Sequence, residues 1–317
     1  MLPAHTEEFS CFGGSCSVTI EGEGPRGTPA EAVRWARAQL LGWHVQFTRF
    51  DASSELSQLN ADPRATVPAS PLMVELAAAV RVAGDTTGGL VDGTLISALE
   101  AAGYAEHLPH AHPIDGAEIE SWDAEPHRPA APSPLRDWAM IAVDRAAGTI
   151  MRPPGVRLDS GGLVKGLLAD ILCGWLSTYD DVVVDCCGDV RFGGSYDGVR
   201  DVEIEHPFGG LATTIEVADG AIATSGTTGR RWTRPDGQPG HHLLDPATGL
   251  PARTGLIQVS AFAPSALEAE VLAKWALLSG PEAAASRLVY GGVIVDEAGD
   301  VREIPPAEQR LMLRGAA

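Results

Sequence analysis

The run Leu158-Asp159-Ser160-Gly161-Gly162-Leu163-Val164-Lys165-Gly166 constrains this chain more than any other segment. An apolar strand end leads into paired glycines, after which Leu163, Leu167, Leu168, Ile171 and Leu172 recur at helical spacing. Glycines without a Cβ let a ligand or a second backbone come close. The free N–H groups at the start of the helix attract anions, and Lys165 adds a point charge suited to phosphate. A simple packing turn would satisfy the same pattern, so the segment alone fixes local structure rather than a ligand.

Around it the pattern alternates between helix and strand. Val33, Ala36, Leu40 and Leu41 predict a helix from Pro29 to Leu41, with Pro29 in the first turn. Leu72, Leu76, Ala79 and Val80 predict a second, Pro71 to Gly84. A glycine turn near Gly13 leads into a short strand, and further strands are expected at Met140–Val143, Asp181–Val184 and Gln258–Ala263. Thr213–Val217 and Ala221–Thr224 read as a strand pair around Ala218–Gly220. Ser265 caps a helix from Ala266 to Leu278, and Arg287–Ile304 reads as a closing hairpin turned at Glu297–Asp300. His107–Pro134, rich in Pro, His, Ala and Asp, is expected to be a long surface excursion. The expectation is one α+β domain over residues 1–317, built on a mixed sheet and without internal repeats.

The net charge of −19 argues against a nucleic-acid partner, which needs clustered Lys and Arg. It leaves room for a phosphate-bearing small molecule, because a few N–H groups, one lysine or a metal can hold a pyrophosphate. The five cysteines follow neither metal spacing nor a dense disulfide framework, and adjacent Cys186 and Cys187 are expected to be small buried hydrophobes on opposite faces of a strand. A reducing, cytoplasmic setting is expected from that usage and from an N-terminal segment with neither a basic nor an apolar leader region. No apolar run reaches the 18 residues that a membrane span requires.

Five more segments carry polar residues at turns and element ends. Asp185-Cys186-Cys187-Gly188-Asp189-Val190 closes a buried strand and reads equally as a plain turn. Ala221-Ile222-Ala223-Thr224-Ser225-Gly226 ends an apolar strand in two hydroxyls, able to hydrogen-bond phosphate or a ring edge, although ST-turns look the same. In His241-His242-Leu243-Leu244-Asp245-Pro246-Ala247-Thr248-Gly249, a His beside a rigid Asp-Pro turn can serve as a general base or as a structural residue. Arg49–Asn60 and Thr86–Thr94 read as a polar turn before a short helix and as a helix exit into a loop.

The order of these segments, from Phe9 to Gly280, resembles the FAD:protein FMN transferases, the ApbE-like flavin transferases. Phe47–Asn60 is similar to the family's aromatic-Asp, Ser-Glu-Leu-Ser stretch. Gly88–Thr94 resembles its Gly-Gly, Asp-Pro-Thr loop, with Gly93 in place of Pro. Leu158–Gly166 resembles its Leu-Asp-X-Gly-Gly-X-X-Lys-Gly signature, and Asp185–Val190 its Gly-Gly-Asp turn, with Cys187 for the first Gly. Ala223–Gly226 and His242–Gly249 are similar to its Ala-Thr-Ser-Gly and His-X-X-Asp-Pro-X-Thr-Gly motifs. The resemblance implies an α+β fold with FAD in a cleft between two parts. It implies FAD contacts from Phe50, Asp92, Gly161, Gly162, Lys165, Asp189, Thr224, Ser225 and His242. His242 would be the catalytic base, with Asp245 as an acidic site residue nearby. The implied reaction cleaves the FAD pyrophosphate with magnesium and joins FMN to a Ser or Thr of an acceptor protein; hydrolysis of FAD to FMN and AMP is the alternative. Asp219-Gly220-Ala221-Ile222-Ala223-Thr224 departs from a self-acceptor motif at Ile222, so the acceptor is expected to be another protein.

The metal set is where the sequence departs. The resemblance implies a backbone carbonyl at Val164, an Asp on a late helix and a Thr four residues on; here Glu270 and Lys274 stand at those two positions. Glu270 can ligate magnesium, whereas a protonated Lys274 has no lone pair to offer. Three readings stay open: a metal with Lys274 turned away, the ammonium in the metal's place, or a protein that only binds FAD. Beside them stand an exposed i,i+4 pair and a scaffold that retains the fold without flavin.

Overall fold

A computed structural model describes residues 4–107 and 126–308. In chain order the elements are β1 (His5–Cys11), β2 (Gly14–Glu21), α1 (Pro29–Phe47), α2 (Glu55–Ala61), β3 (Thr66–Pro68), α3 (Pro71–Thr87), α4 (Ile96–Ala101), β4 (Ala142–Asp144), β5 (Thr149–Met151) and α5 (Val164–Trp175). There follow β6 (Asp181–Cys186), β7 (Asp189–Gly194), β8 (Arg200–Glu205), β9 (Leu211–Val217), β10 (Ala221–Gly226), β11 (Arg231–Thr233), β12 (Pro239–His241), β13 (Leu244–Asp245) and β14 (Leu250–Pro251). The last are β15 (Leu256–Ala263), α6 (Ala266–Arg287), β16 (Gly292–Asp296) and β17 (Val301–Ile304).

Eight strands form the main sheet in the order β1-β2-β6-β7-β10-β15-β16-β17. The two faces of this sheet are legible in β6, where Val182, Val184 and Cys186 are fully buried and alternate with half-buried neighbours. The first set packs with Val18 and Ile20 of β2 under α1, α5 and α6, in the principal core. The other face is covered by the β8–β9 hairpin through Phe192, Ile204, Val217, Ile222 and Val293. Helix α3 lies against the small β3-β5-β4 sheet, capped by Ser70 at its start and by Gly88 at φ +64° at its end.

The α+β class holds, and several details differ from the sequence reading. Every pairing in the main sheet is antiparallel, where a mixed sheet was expected. Strands separated by helices in sequence still meet antiparallel, so strand–helix alternation carried no signal of parallel pairing. Thr213–Val217 and Ala221–Thr224 do not pair: β9 joins β8, while Gly220 at φ +104° turns the chain into the main sheet between β7 and β15. The glycine turn at Gly13 connects two strands, adding β1 ahead of the expected one. Asp137–Met140 is a short 3-10 turn before β4, and α1 continues to Phe47. Cys187 leaves the strand. With Gly188 it forms a two-residue hairpin turn at φ +59° and +86°, anchored by Gly188 N–H donating to Asp185 Oδ1 at 2.7 Å. Helix α6 breaks at Gly280 (φ +76°) and Pro281, close to where the predicted helix stops. Of the expected excursion, residues 108–125 lie outside the described residues; 126–134 run without regular structure.

Candidate active site

The paired glycines sit where Ser160 ends the approach to α5, and Leu163 and Val164 N–H both donate back to the Ser160 carbonyl. The closest approaches differ between the turn and the helix behind it. A Cβ on Gly162 would stand 3.4 Å from Lys274 Cε, and one on Gly166 would meet the Ala266 carbonyl oxygen at 2.5 Å. Helices α5 and α6 therefore touch backbone to backbone at Gly166. The contact aims Lys165 from α5 and Lys274 from α6 into one cavity of about 460 Å³.

Behind these lysines lie two fully buried carboxylates. Lys165 Nζ donates to Asp189 Oδ2 at 2.5 Å, and Lys274 Nζ to Glu270 Oε1 at 3.1 Å. Glu270 Oε2 accepts the Gly166 N–H at 3.1 Å. Burial opposes the charge of Lys165, but Asp189 and Glu270 outweigh it and hold the ammonium above its usual range. Burial likewise pushes Asp189 up to about 6 against the pull of Lys165. For Glu270 burial acts upward too, and Lys274 with Lys165 reverses the sign, leaving its carboxyl below the ordinary range.

The rest of the wall comes from distant parts of the chain. Asp92 sits in the loop after α3, its Oδ1 accepting from Thr94 N–H at 2.9 Å and Thr94 Oγ1 at 2.5 Å. Its Oδ2 is buried without a hydrogen-bond partner, and burial raises its carboxyl. Phe50, partly exposed, tilts against Tyr104 at a centroid distance of 5.7 Å, and Tyr104 stacks on Trp232 at 5.0 Å. The Arg49 guanidinium lies 4.4 Å from the Phe50 ring centroid and 4.3 Å from that of Tyr104. His242 reaches the cavity from the loop after β12, its buried Nδ1 unpartnered. Burial first, and the nearby Arg230 charge second, hold it well below the ordinary histidine range, so its imidazole is neutral at pH 7.

Of the residues singled out in the sequence, Phe50, Asp92, Gly161, Gly162, Val164, Lys165, His242 and Lys274 line this cavity. Asp189 and Glu270 stand one contact behind it, through the lysines. Thr224, Ser225 and Asp245 are not brought to its wall. Thr224 Oγ1 bonds Ser260 Oγ across β10 and β15 at 2.7 Å, and Ser225 is buried beside it. Asp245 Oδ1 accepts from the N–H groups of Ala131 and Ala247, so its carboxylate holds the Asp-Pro turn together. Sequence reasoning missed Phe12, His44, Tyr104 and Arg230. Arg230 donates to the Phe12 carbonyl at 2.7 Å, tying the first hairpin to the cavity rim. No local pattern marks these four residues.

The set does not fit the magnesium ion that the resemblance implies. Among the described residues no three His, Cys, Asp or Glu side chains converge on one point. One Glu270 oxygen faces Lys274 and the other a backbone N–H. A divalent ion about 4 Å from that ammonium would meet a repulsion on the order of 8 kcal/mol at an effective dielectric of about 20.

The fold and the cavity define an α+β chain with an antiparallel sheet, in which two lysines and an imidazole line one cleft. The chain belongs to the ApbE family, whose profile matches residues 12–292. It is 33% identical over 224 residues to the FAD:protein FMN transferase of Treponema pallidum (strain Nichols), covering 61% of this chain and 62% of that protein. It is 23% identical over 204 residues to the FAD:protein FMN transferase of Klebsiella pneumoniae (strain 342), covering 63% and 58%. The chain thus spans less than two thirds of the length of either relative. In fold it is similar to the ApbE protein from Thermotoga maritima MSB8, with a TM-score of 0.76 at 22% identity over 98% of this chain and 99% of that one. The apo flavinyl transferase ApbE of Pseudomonas stutzeri gives a TM-score of 0.74 at 19% identity, over 98% and 96%.

Proposed function

We propose that this cavity binds FAD, and that the chain cleaves the FAD pyrophosphate and moves FMN to a Ser or Thr hydroxyl of a separate acceptor protein. The observation that carries the reading is the convergence of a neutral imidazole, a charged lysine and a glycine-lined helix start on one cavity in an ApbE-family chain. The names of the curated relatives point the same way.

In this reading the Gly161-Gly162 turn and Lys165 receive the pyrophosphate, and Asp189 holds Lys165 in place. Phe50 and Tyr104 offer apolar ring surface to a ligand ring, and the unpartnered Asp92 Oδ2 accepts an N–H or O–H of the ligand. His242 takes the proton of the acceptor hydroxyl as its oxygen attacks the phosphorus on the FMN side. The new O–P bond forms as the bond to the bridging oxygen breaks, and AMP leaves with that electron pair. Asp245 acts as a positioning residue, fixing the turn that follows His242. Thr224 and Ser225 brace the end of β10, from which the Gly229–Arg231 part of the wall departs. No step is routed through magnesium, because the residues present do not fit it.

A cytoplasmic setting for the reaction is part of the proposal, supported by five free thiols, two of which lie 3.6 Å apart at Cys16 and Cys187. No helix among the described residues is long and apolar enough to cross a membrane. The test is to incubate the chain with FAD and a cell extract, read flavin fluorescence on a denaturing gel and quantify AMP. The proposal expects a covalent fluorescent band with matching AMP from the wild type and neither from His242→Ala. No band and no AMP from the wild type would sink it.

A further inference from the structure

We propose that the Lys274 ammonium is a resident cation for the pyrophosphate, doing at this site what a bound divalent ion would otherwise do; this rests on the FAD reading above. Lys274 is not a solvated surface residue. It rises from α6 one turn after Glu270, its side chain is only 12% exposed, and it lines the same cavity as Lys165. Its stem passes under the second glycine of the turn, at 3.4 Å from where a Gly162 Cβ would stand. A Cβ there would rest in van der Waals contact with the lysine stem, so turn and lysine lie side by side on the cavity wall.

The carboxylate beneath it is committed to this arrangement. Glu270 has no exposed surface, gives one oxygen to Lys274 at 3.1 Å and the other to the Gly166 N–H at 3.1 Å. An isolated buried carboxylate is unfavourable, and a lysine whose head is held in place opposite one meets the need permanently. The result is two lysines that line the cavity, each with its ammonium paired to a different buried carboxylate. Such a floor suits a ligand with two adjacent phosphates, one beside each lysine.

In the transfer step Lys274 gains or loses no bond. It offsets charge on the phosphate oxygens as the O–P bond forms and on AMP as the bridging bond breaks. The proton of the acceptor hydroxyl still goes to His242, so the ledger of atoms and electrons is that of the proposed transfer with no metal in it.

FAD binding to the full chain, followed by quenching of flavin fluorescence in EDTA and in excess magnesium, tests the inference. The wild type is expected to bind FAD equally in both. Lys274→Met is expected to weaken binding about 10- to 100-fold in both, the size of a lost contact to a charged group. Lys274→Arg keeps the charge and is expected to stay within about tenfold of wild type. Thermal melts establish that each variant is folded; should Lys274→Met not fold, the wild-type comparison and Lys274→Arg decide. Wild-type affinity that rises about tenfold or more with magnesium, or a folded Lys274→Met that binds like wild type, overturns the inference while leaving the proposed function standing. Absence of FAD binding under every condition overturns the proposed function itself, and this inference with it.

Discussion

Lys274 and Glu270 lie one helical turn apart on α6, and the lysine ammonium stands 3.1 Å from an oxygen of a carboxylate that has no exposed surface. On an open helix face such a pair contributes only about 0.2–0.5 kcal/mol. Here the same spacing falls at the floor of a cavity, with a second buried pair, Lys165 and Asp189, beside it. Placement, not spacing, turns a common helical pair into part of a site.

The Lys165–Asp189 pair is the first target. Lys165→Met leaves a fully buried Asp189 without its cation and is expected to destabilise the fold by about 3–5 kcal/mol. Urea unfolding measures it. Lys165→Met combined with Asp189→Leu should recover a large part of that loss, while FAD binding stays weakened.

Gly166 marks the closest approach of two helices. A methyl group there would meet the Ala266 carbonyl at 2.5 Å, and backbone cannot yield as a side chain would. Gly166→Ala should cost about 1–3 kcal/mol, read by chemical denaturation. Gly162→Ala, facing only the flexible Lys274 stem at 3.4 Å, should cost less stability and more FAD affinity.

His242 is held neutral by burial, well below an ordinary histidine. As a base it stays available as pH falls, so the acid limb of the transfer rate should lie well under pH 6.5. His242→Ala should slow transfer about 10²- to 10⁴-fold while FAD affinity stays close to wild type. A rate that halves near pH 6.5 would contradict the assignment.

His241, its neighbour, gives a stability signature instead. Burial holds it down to about 4 against the opposing bond from Nε2 to the Ala252 carbonyl. The unfolded chain binds this proton near pH 6.5, so the folded state is favoured above that pH. The benefit is lost as pH falls from about 6.5 to 4, by up to about 3 kcal/mol. Denaturation midpoints across that window should show the slope, and His241→Gln should flatten it.

What the sequence revealed follows from what is local. The glycine turn, the start of α5 and Lys165 were legible because backbone freedom, helical spacing and charge all sit within the fifteen residues from Leu158 to Leu172. The helix cap at Ser265 is local in the same way. Cys187 as a turn residue was harder to see, since only the Cys186–Asp189 register forces its positive φ. Arg230, Tyr104, Phe12 and His44 converge from four separate parts of the fold, and nothing beside them in sequence encodes that meeting. Thr224 and Asp245 look like site residues in the motifs, yet Ser260 and the Ala131 and Ala247 N–H groups, unseen from the sequence, engage them.

The most direct test of the whole account is a crystal structure of the full chain soaked with FAD and magnesium. The account predicts the pyrophosphate on the Gly161-Gly162 turn, with one phosphate beside Lys165, the other beside Lys274, and Lys274 still paired with Glu270. FAD bound elsewhere, or a magnesium ion on Glu270 with Lys274 swung out of the cavity, would contradict it.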